Sequence, residues 1–373
     1  MDPFATIALL ATVFILSITW ILPKTSKEAP NHPLPPGPRG LPIVGYLPFL
    51  HQNLHLQFTE LARQYGPIYK FKLGNKLCVV ISSPSLVKEV VRDHDAIFAN
   101  RDAPVAALIA SYGGNDVVWT DYDSHWRMMR KIFSREMLSN SNIEGSYHLR
   151  RGEVRRAVRD VYSKIGTPVD VGQVAFFIEL NVIMSMIWGS TVDGAERERI
   201  GMAYWGVVSK LVDLLGKPNV SDYFPGLARF DVQGIEKEMK GYVKCVDRIV
   251  DDVLKERIAM TDNGKFDEGK KDFLQTLLDL KERRNAEISI DMTELRALLM
   301  YAPFGSGRRV CAGVALAERT LMYILASLLH SFEWRLANGE DVDMTEKLGL
   351  VLRKSTSLIA IPTPRLRGEG LYV

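Results

Sequence analysis

Phe304-Gly305-Ser306-Gly307-Arg308-Arg309-Val310-Cys311-Ala312-Gly313 runs directly into an apolar stretch of helical period, Val314 to His330. The glycines mark a loop and the stretch behind them a helix, so Cys311 falls at a helix N-terminus. Unpaired backbone N–H groups and the helix macrodipole favour negative charge at that end, and a thiolate is stabilised there. Gly307 and Gly313 let the backbone curl closely around a bulky group. Phe304 supplies an aromatic face for such a group, and Arg309 a guanidinium for an acidic substituent.

A single thiolate cradled in this way suits one axial bond to haem iron. Other loop chemistries fail on detail. A dinucleotide fingerprint needs a glycine where Val310 stands, and a phosphate loop needs Gly-Lys-Ser/Thr. A nucleophilic cysteine with a distant His partner stays open at this level. Cys78 and Cys245 read as buried, inert thiols. Three cysteines without a CxxC pair argue against a disulfide framework or a structural zinc site, and fit a reducing compartment.

Immediately upstream, Asp291-x-x-Glu294 has the form of a capping box, and Met292, Leu295, Leu298 and Leu299 continue it as a helical apolar stripe. Met300 then meets Tyr301-Ala302-Pro303 with no cap glycine between them. Further back, Leu54 to Arg63 predicts a helix. Ile68 to Leu73 and Leu77 to Ile81 predict two strands joined at Gly74-Asn75. Ser83-Pro84 predicts the start of a helix running to about Asp93. Helical period dominates from there to Met300, broken near Gly113-Gly114, Asn219 to Gly226 and Thr261 to Lys270. The expected fold is mainly α with a small β-sheet near the start.

At the N-terminal end, Phe4 to Leu22 is a stretch of nineteen residues without a charge, enough to cross a bilayer as a helix. Asp2 precedes it, and Lys24 and Lys27 follow, so the positive-inside rule places the remainder in the cytosol. A cleaved signal would show a basic start and a small-x-small exit; Met-Asp-Pro and Ile21-Leu22-Pro23-Lys24 show neither. Pro30, Pro33, Pro35, Pro36, Pro38 and Pro42 then predict a stiff, extended connector, which composition alone does not separate from an ordinary linker. The expected organisation is an anchor with its linker over 1–29, a proline-rich hinge over 30–48 and a globular body over 49–373. Of 373 residues, 47% are hydrophobic, and 47 basic against 44 acidic residues leave a net charge of +3, so disorder is excluded and no nucleic-acid partner is expected.

Phe304-x-x-Gly307-x-Arg309-x-Cys311-x-Gly313 resembles, at every fixed position, the cysteine-loop signature of the cytochrome P450 family. The membrane anchor, Pro35-Pro36-Gly37-Pro38, Phe98-Ala99-Asn100-Arg101 and Trp126-Arg127-Met128-Met129-Arg130-Lys131 extend the likeness, which is to plant microsomal enzymes that hydroxylate flavonoids and terpenoids. The resemblance implies a haem-thiolate monooxygenase with Cys311 as axial ligand of haem b. Phe304, Gly307, Arg309 and Gly313 would cradle the cofactor, and Trp126 and Arg130, four residues apart on one helix face, would bind its propionates. It also implies an endoplasmic-reticulum membrane location, electrons from NADPH–cytochrome P450 reductase, and a small lipophilic substrate. Val105 to Asp116 and Leu350 to Ser357 would line the pocket, and Arg127, Arg130 and Lys131 form a basic face that reads equally as a patch for an acidic redox partner or as a solvated helix surface.

The sequence also departs from that family. It contains no Asp-Thr or Glu-Thr dipeptide, so the distal acid-alcohol pair has no counterpart and no catalytic residue is assigned. A Pro-x-Arg-Phe motif is absent as well. ExxR matches begin at Glu60, Glu89, Glu153 and Glu196, far upstream of the family's position, and read as surface helix charges. These departures place a deletion on the order of a hundred residues between Met300 and Tyr301. The second reading is therefore a catalytically inactive splice form or gene-model fragment.

Overall fold

A computed structural model describes residues 33–189, 194–264, 272–282, 291–298, 307–337, 339, 341–350 and 352–372. The expected anchor Phe4 to Leu22, the Met300-Tyr301 junction and Phe304 lie outside these. The chain divides into two compact units, Met1–Val87 and Lys88–Val373.

In the first unit, α1 (Leu54–Tyr65) precedes the hairpin of β1 (Ile68–Leu73) and β2 (Lys76–Ile81), which pairs antiparallel about the predicted Gly74-Asn75 turn. Leu61, Tyr69 and Phe71 form its core. Of the proline-rich stretch, residues 33–40 form neither helix nor strand, as proline's fixed φ and missing N–H favour, whereas Pro42 lies in a turn closed by the Leu41–Gly45 bridge and Pro48 in a 3-10 turn, Leu47–Phe49, so the expected connector is not extended throughout. It is also stitched along β1: the Lys70 N–H donates to Pro36 O at 2.9 Å. A Cβ on Gly37 would lie 1.8 Å from Lys70 O, and Gly45 has φ +64° with its would-be Cβ 2.2 Å from Lys72 O, so glycine is required at both positions. Ser83 caps α2 (Pro84–Lys88) by accepting from the Leu86 N–H at 3.3 Å. The chain then continues as a single wide turn, Glu89–Asp93, ending where the sequence places it.

The second unit holds α3 (Val105–Ala110), α4 (Ser124–Ile132), α5 (Asn140–Gly145), α6 (Tyr147–Tyr162), β3 (Val169–Asp170), α7 (Val171–Trp188), α8 (Gly194–Leu215), α9 (Val220–Tyr223), α10 (Ile235–Asp262), α11 (Phe273–Glu282), α12 (Met292–Leu298) and α13 (Val314–Ser331). β4 (Phe332–Leu336), β5 (Glu346–Leu348), β6 (Leu352–Lys354) and β7 (Ile359–Pro364) follow. The main core lies among α6, α7, α11 and α13, where Val154, Val182, Trp188, Leu274, Leu277 and Leu328 are buried together. α7 is long and apolar enough to cross a membrane by composition, yet Ile178, Val182, Met184 and Trp188 belong to this core. A helix apolar all round is what a core position asks for. A second cluster packs α3 and α8 on α10 through Ala106, Ala110, Leu211, Met239 and Val243.

Three readings change here. The sheet expected near the start is joined by two more, β3-β7-β4 and β5-β6. Pro362 and Pro364 argue against reading β7 as a central strand. The structure resolves this, because β3 covers only Ile359 and Ala360, and beyond them β7 is an edge on that side. Glu153, the start of one ExxR match, is not a surface charge. Its side chain is 6% exposed and accepts from Arg156 at 3.0 Å. Cys78 and Cys245 are half-buried rather than buried.

Candidate functional site

Cys311 sits two residues before Gly313, the N-cap of the eighteen-residue α13. Its residue is 4% exposed. The Gly313 N–H donates to Sγ at 3.1 Å, so the sulphur is held by the helix's own leading edge. Gly307 opens a 3-10 turn, Gly307–Arg309, that sets Arg309 beside the cysteine. Gly313 has φ −86°, and a Cβ there would meet only Sγ at 3.5 Å. Neither the backbone conformation nor the space within the chain requires glycine at 313, since 3.5 Å is an ordinary contact distance.

Trp126 and Arg130, which the resemblance implies, meet Arg309 at this loop. Asp123 caps α4 by accepting from the Trp126 N–H at 2.8 Å, and this fixes Trp126 and Arg130 on one face of the helix. The Arg130 guanidinium donates to Val310 O, next to the cysteine. The indole of Trp126 is buried and donates from Nε1 to Val117 O at 3.0 Å. Arg309 lies over that indole, 4.6 Å from the ring centroid, a cation–π contact. Burial, reinforced by Arg101, pulls the Arg309 guanidinium below its ordinary pKa.

Neighbours that motif spacing does not reveal complete the arrangement. Arg309 donates from Nε to Ala99 O at 2.9 Å, and from its terminal nitrogens to the carbonyls of Thr120, Val118 and Val117. Arg308 pairs with Asp95 at 2.9 Å and donates to the Tyr122 hydroxyl at 2.8 Å, while Tyr122 packs edge-on against Trp126. Asp116 Oδ1 accepts from the N–H groups of Val118 and Trp119. Burial raises the Asp116 carboxyl to about 6 despite those bonds and the nearby Arg101 and Arg309. The only signal for it in sequence is an Asn-Asp pair after Gly113-Gly114, which reads as a turn and nothing more. In the expected pocket wall, Val105 to Asp116 contains α3 rather than being loop throughout, and residues 350–357 carry β6. The basic face keeps Arg127 and Lys131 exposed, whereas Arg130 is turned inward.

A sequence model of the family described as cytochrome P450 matches residues 35–301 and 299–361, which together make up most of the chain. This chain belongs to the cytochrome P450 family. Its two matched segments meet at the Met300-Tyr301 junction. Among P450 relatives, the germacrene A acid 8-beta-hydroxylase of Inula hupehensis is 30% identical over 391 residues, covering 100% of this chain and 75% of that one. A flavonoid 3'-monooxygenase of Crocosmia x crocosmiiflora is 31% identical over 325 residues, 86% of this chain and 61% of that one. The flavonoid 3',5'-hydroxylase of Campanula medium is 24% identical over 489 residues, 91% of this chain and 93% of that one. That span exceeds the 373 residues present here, so this P450 is shorter than its full-length relatives. A zebra fish cytochrome P450 solved with progesterone has a TM-score of 0.64 at 18% identity, covering 83% of this chain and 99% of that one, a likeness of fold.

The P450 family implies a haem, and the residues of this site suit one. A buried sulphur supported by a backbone N–H meets the needs of a single axial bond. Two guanidiniums and an indole N–H, all now satisfied by carbonyl oxygens, are a donor set for carboxylates.

Proposed function

We propose that this chain is a haem-thiolate P450 of plant secondary metabolism, with Cys311 as axial ligand of haem b. The observation that carries the proposal is the convergence of Trp126, Arg130 and Arg309 on the loop of Cys311. Such a haem supplies activation of O2 and insertion of one oxygen atom into a lipophilic small molecule. The protein's own part is binding and orientation. Gly313 N–H holds the sulphur, while Arg130, Arg309 and Trp126 take the propionates, exchanging carbonyl partners for carboxylates. Gly307 and Phe304 complete the cradle. Val105 to Asp116 and residues 350–357 line the substrate side. Relatives named as flavonoid and germacrene A acid hydroxylases support a substrate of that general kind. Phe4 to Leu22 anchors the chain in the endoplasmic-reticulum membrane with its bulk in the cytosol, where NADPH–cytochrome P450 reductase supplies electrons. Arg127 and Lys131 are the exposed charges left to meet it.

One observation favours a second reading, a chain that holds haem without turnover. The sequence has no acid-Thr dipeptide to move protons on the distal side, and its family match breaks at residues 299–301. The reduced carbon-monoxide difference spectrum of the full chain in microsomes tests the haem reading. A thiolate-type Soret band is expected for the parent and its loss for Cys311→Ala. No band in the parent sinks the haem reading, and the same band in both sinks the ligand assignment. Substrate-dependent NADPH oxidation with product then separates an enzyme from a haem holder.

A further inference from the structure

Arg309 has more hydrogen-bond partners than a residue awaiting a ligand needs. Its guanidinium is surrounded by four backbone oxygens, those of Ala99, Val117, Val118 and Thr120. Three of the four come from one short turn. Carbonyls there point at Arg309 only while the turn keeps its shape, and the turn is not part of a helix or strand. Two side chains hold it. Asp116 Oδ1 accepts from Trp119 N at 2.6 Å and from Val118 N at 3.2 Å, tying the start of the turn to its middle. The Thr120 hydroxyl reaches back to the carbonyls of Asp116 and Gly114, tying its end to its start. The Val117 carbonyl also accepts from the Trp126 indole, so the turn fixes both partners of the cation–π stack.

We infer that Asp116 is a positioning residue, whose carboxylate shapes the 116–120 turn into a cage of carbonyl oxygens that keeps Arg309 stacked on Trp126 in the haem-free chain. The cage solves a physical problem. Arg309 is half-buried, with Asp116 and Asp121 near enough to act on its charge, and until a ligand carboxylate arrives its N–H groups still need acceptors, because leaving them unpaired is costly. Carbonyl dipoles satisfy its N–H groups without neutralising it, so an incoming carboxylate can still displace them. The same turn follows directly on Gly113-Gly114 at the end of the expected pocket wall. Asp116 therefore links that wall to the arginine. For what Arg309 later meets, the inference rests on the haem reading; for the cage itself it does not.

Amide hydrogen exchange on the full chain in lipid nanodiscs, without haem, tests the cage. Asp116→Ala removes the acceptor, and exchange over 114–122 is expected to rise about ten-fold or more. Asp116→Asn keeps an Oδ1 that accepts the same two N–H groups, and is expected to stay within about two-fold of the parent. Arg309→Ala should loosen the same segment, and combining it with Asp116→Ala should add little beyond either change alone, since both open one cage. Unchanged exchange in Asp116→Ala overturns the inference. So does an Asn variant as loose as the Ala variant, or full additivity with Arg309→Ala. Haem loss to apomyoglobin, measured on the loaded protein, should be several-fold faster for Asp116→Ala than for Asp116→Asn. A parent that takes up no haem would instead fail the haem reading, while the exchange results still decide the cage.

Discussion

Asp116 is useful to its turn as an acceptor and costly as a charge. Its carboxyl is raised from 3.8 to about 6, with burial outweighing the bonds and cations that favour ionisation. The folded chain therefore holds this proton where the unfolded chain has released it. The resulting stability is complete below about pH 4 and is lost as pH rises through about 6, a total of about 3 kcal/mol at most. Asp116→Asn, which cannot ionise, is expected to flatten that part of the profile of urea midpoint against pH. At pH 7.5 it should be no less stable than the parent. Arg309→Lys tests the other side of the cage. An ammonium keeps the charge but cannot reach four oxygens while lying flat on an indole, so haem retention should fall even though the charge is conserved. Cys311 and Arg309 are legible in sequence because fixed spacings around a glycine-punctuated loop mark them, whereas Trp126 and Arg130 are legible only through the family resemblance, since alone they read as a core residue and a solvated charge. Asp95, Tyr122 and Asp116 are not legible. Arg308 finds Asp95 more than two hundred positions away, and no local period carries that information.

Helices show the same division between what is local and what is not. The predicted capping box is realised at α12, where Asp291 N donates to Glu294 Oε2 and Glu294 N to Asp291 Oδ1, both at 2.7 Å. Glu294 also faces His125 of α4 at 3.2 Å. A helix of seven residues is too short to stand on propensity, so the buried Leu295 and this contact with His125 hold it in place. Between α10 and α11 the connection is stronger. Arg257, 0% exposed, forks onto both carboxylate oxygens of Asp272, which is 6% exposed. Asp272→Ala leaves a buried guanidinium without its counter-charge and should cost about 3–5 kcal/mol in chemical denaturation, whereas replacing both residues by apolar ones should cost much less. Helix starts were readable from caps and prolines. The late strands were not, because two prolines in β7 mimic a break, and only pairing with β4 shows which side they face.

Leu321, Met322, Leu325 and Leu329 lie 49–65% exposed on α13, the helix that follows the family-match break. Four large apolar side chains at helical spacing are more than isolated surface residues. Concentration-dependent association is expected for the purified chain in light scattering, and Leu325→Gln with Leu329→Gln should reduce it while leaving the thermal midpoint nearly unchanged. Length alone says that 373 residues suffice for a core; the exposed flank of α13 is where that sufficiency ends. The three-stranded sheet has a consequence in time. Val169 pairs with Ala360, so β3 emerges from the ribosome some 190 residues ahead of its partner. At ~5–20 residues per second that wait is roughly 10–40 seconds. Throughout it the nascent chain carries α6 and α7 without the strand or the helix that will cover them.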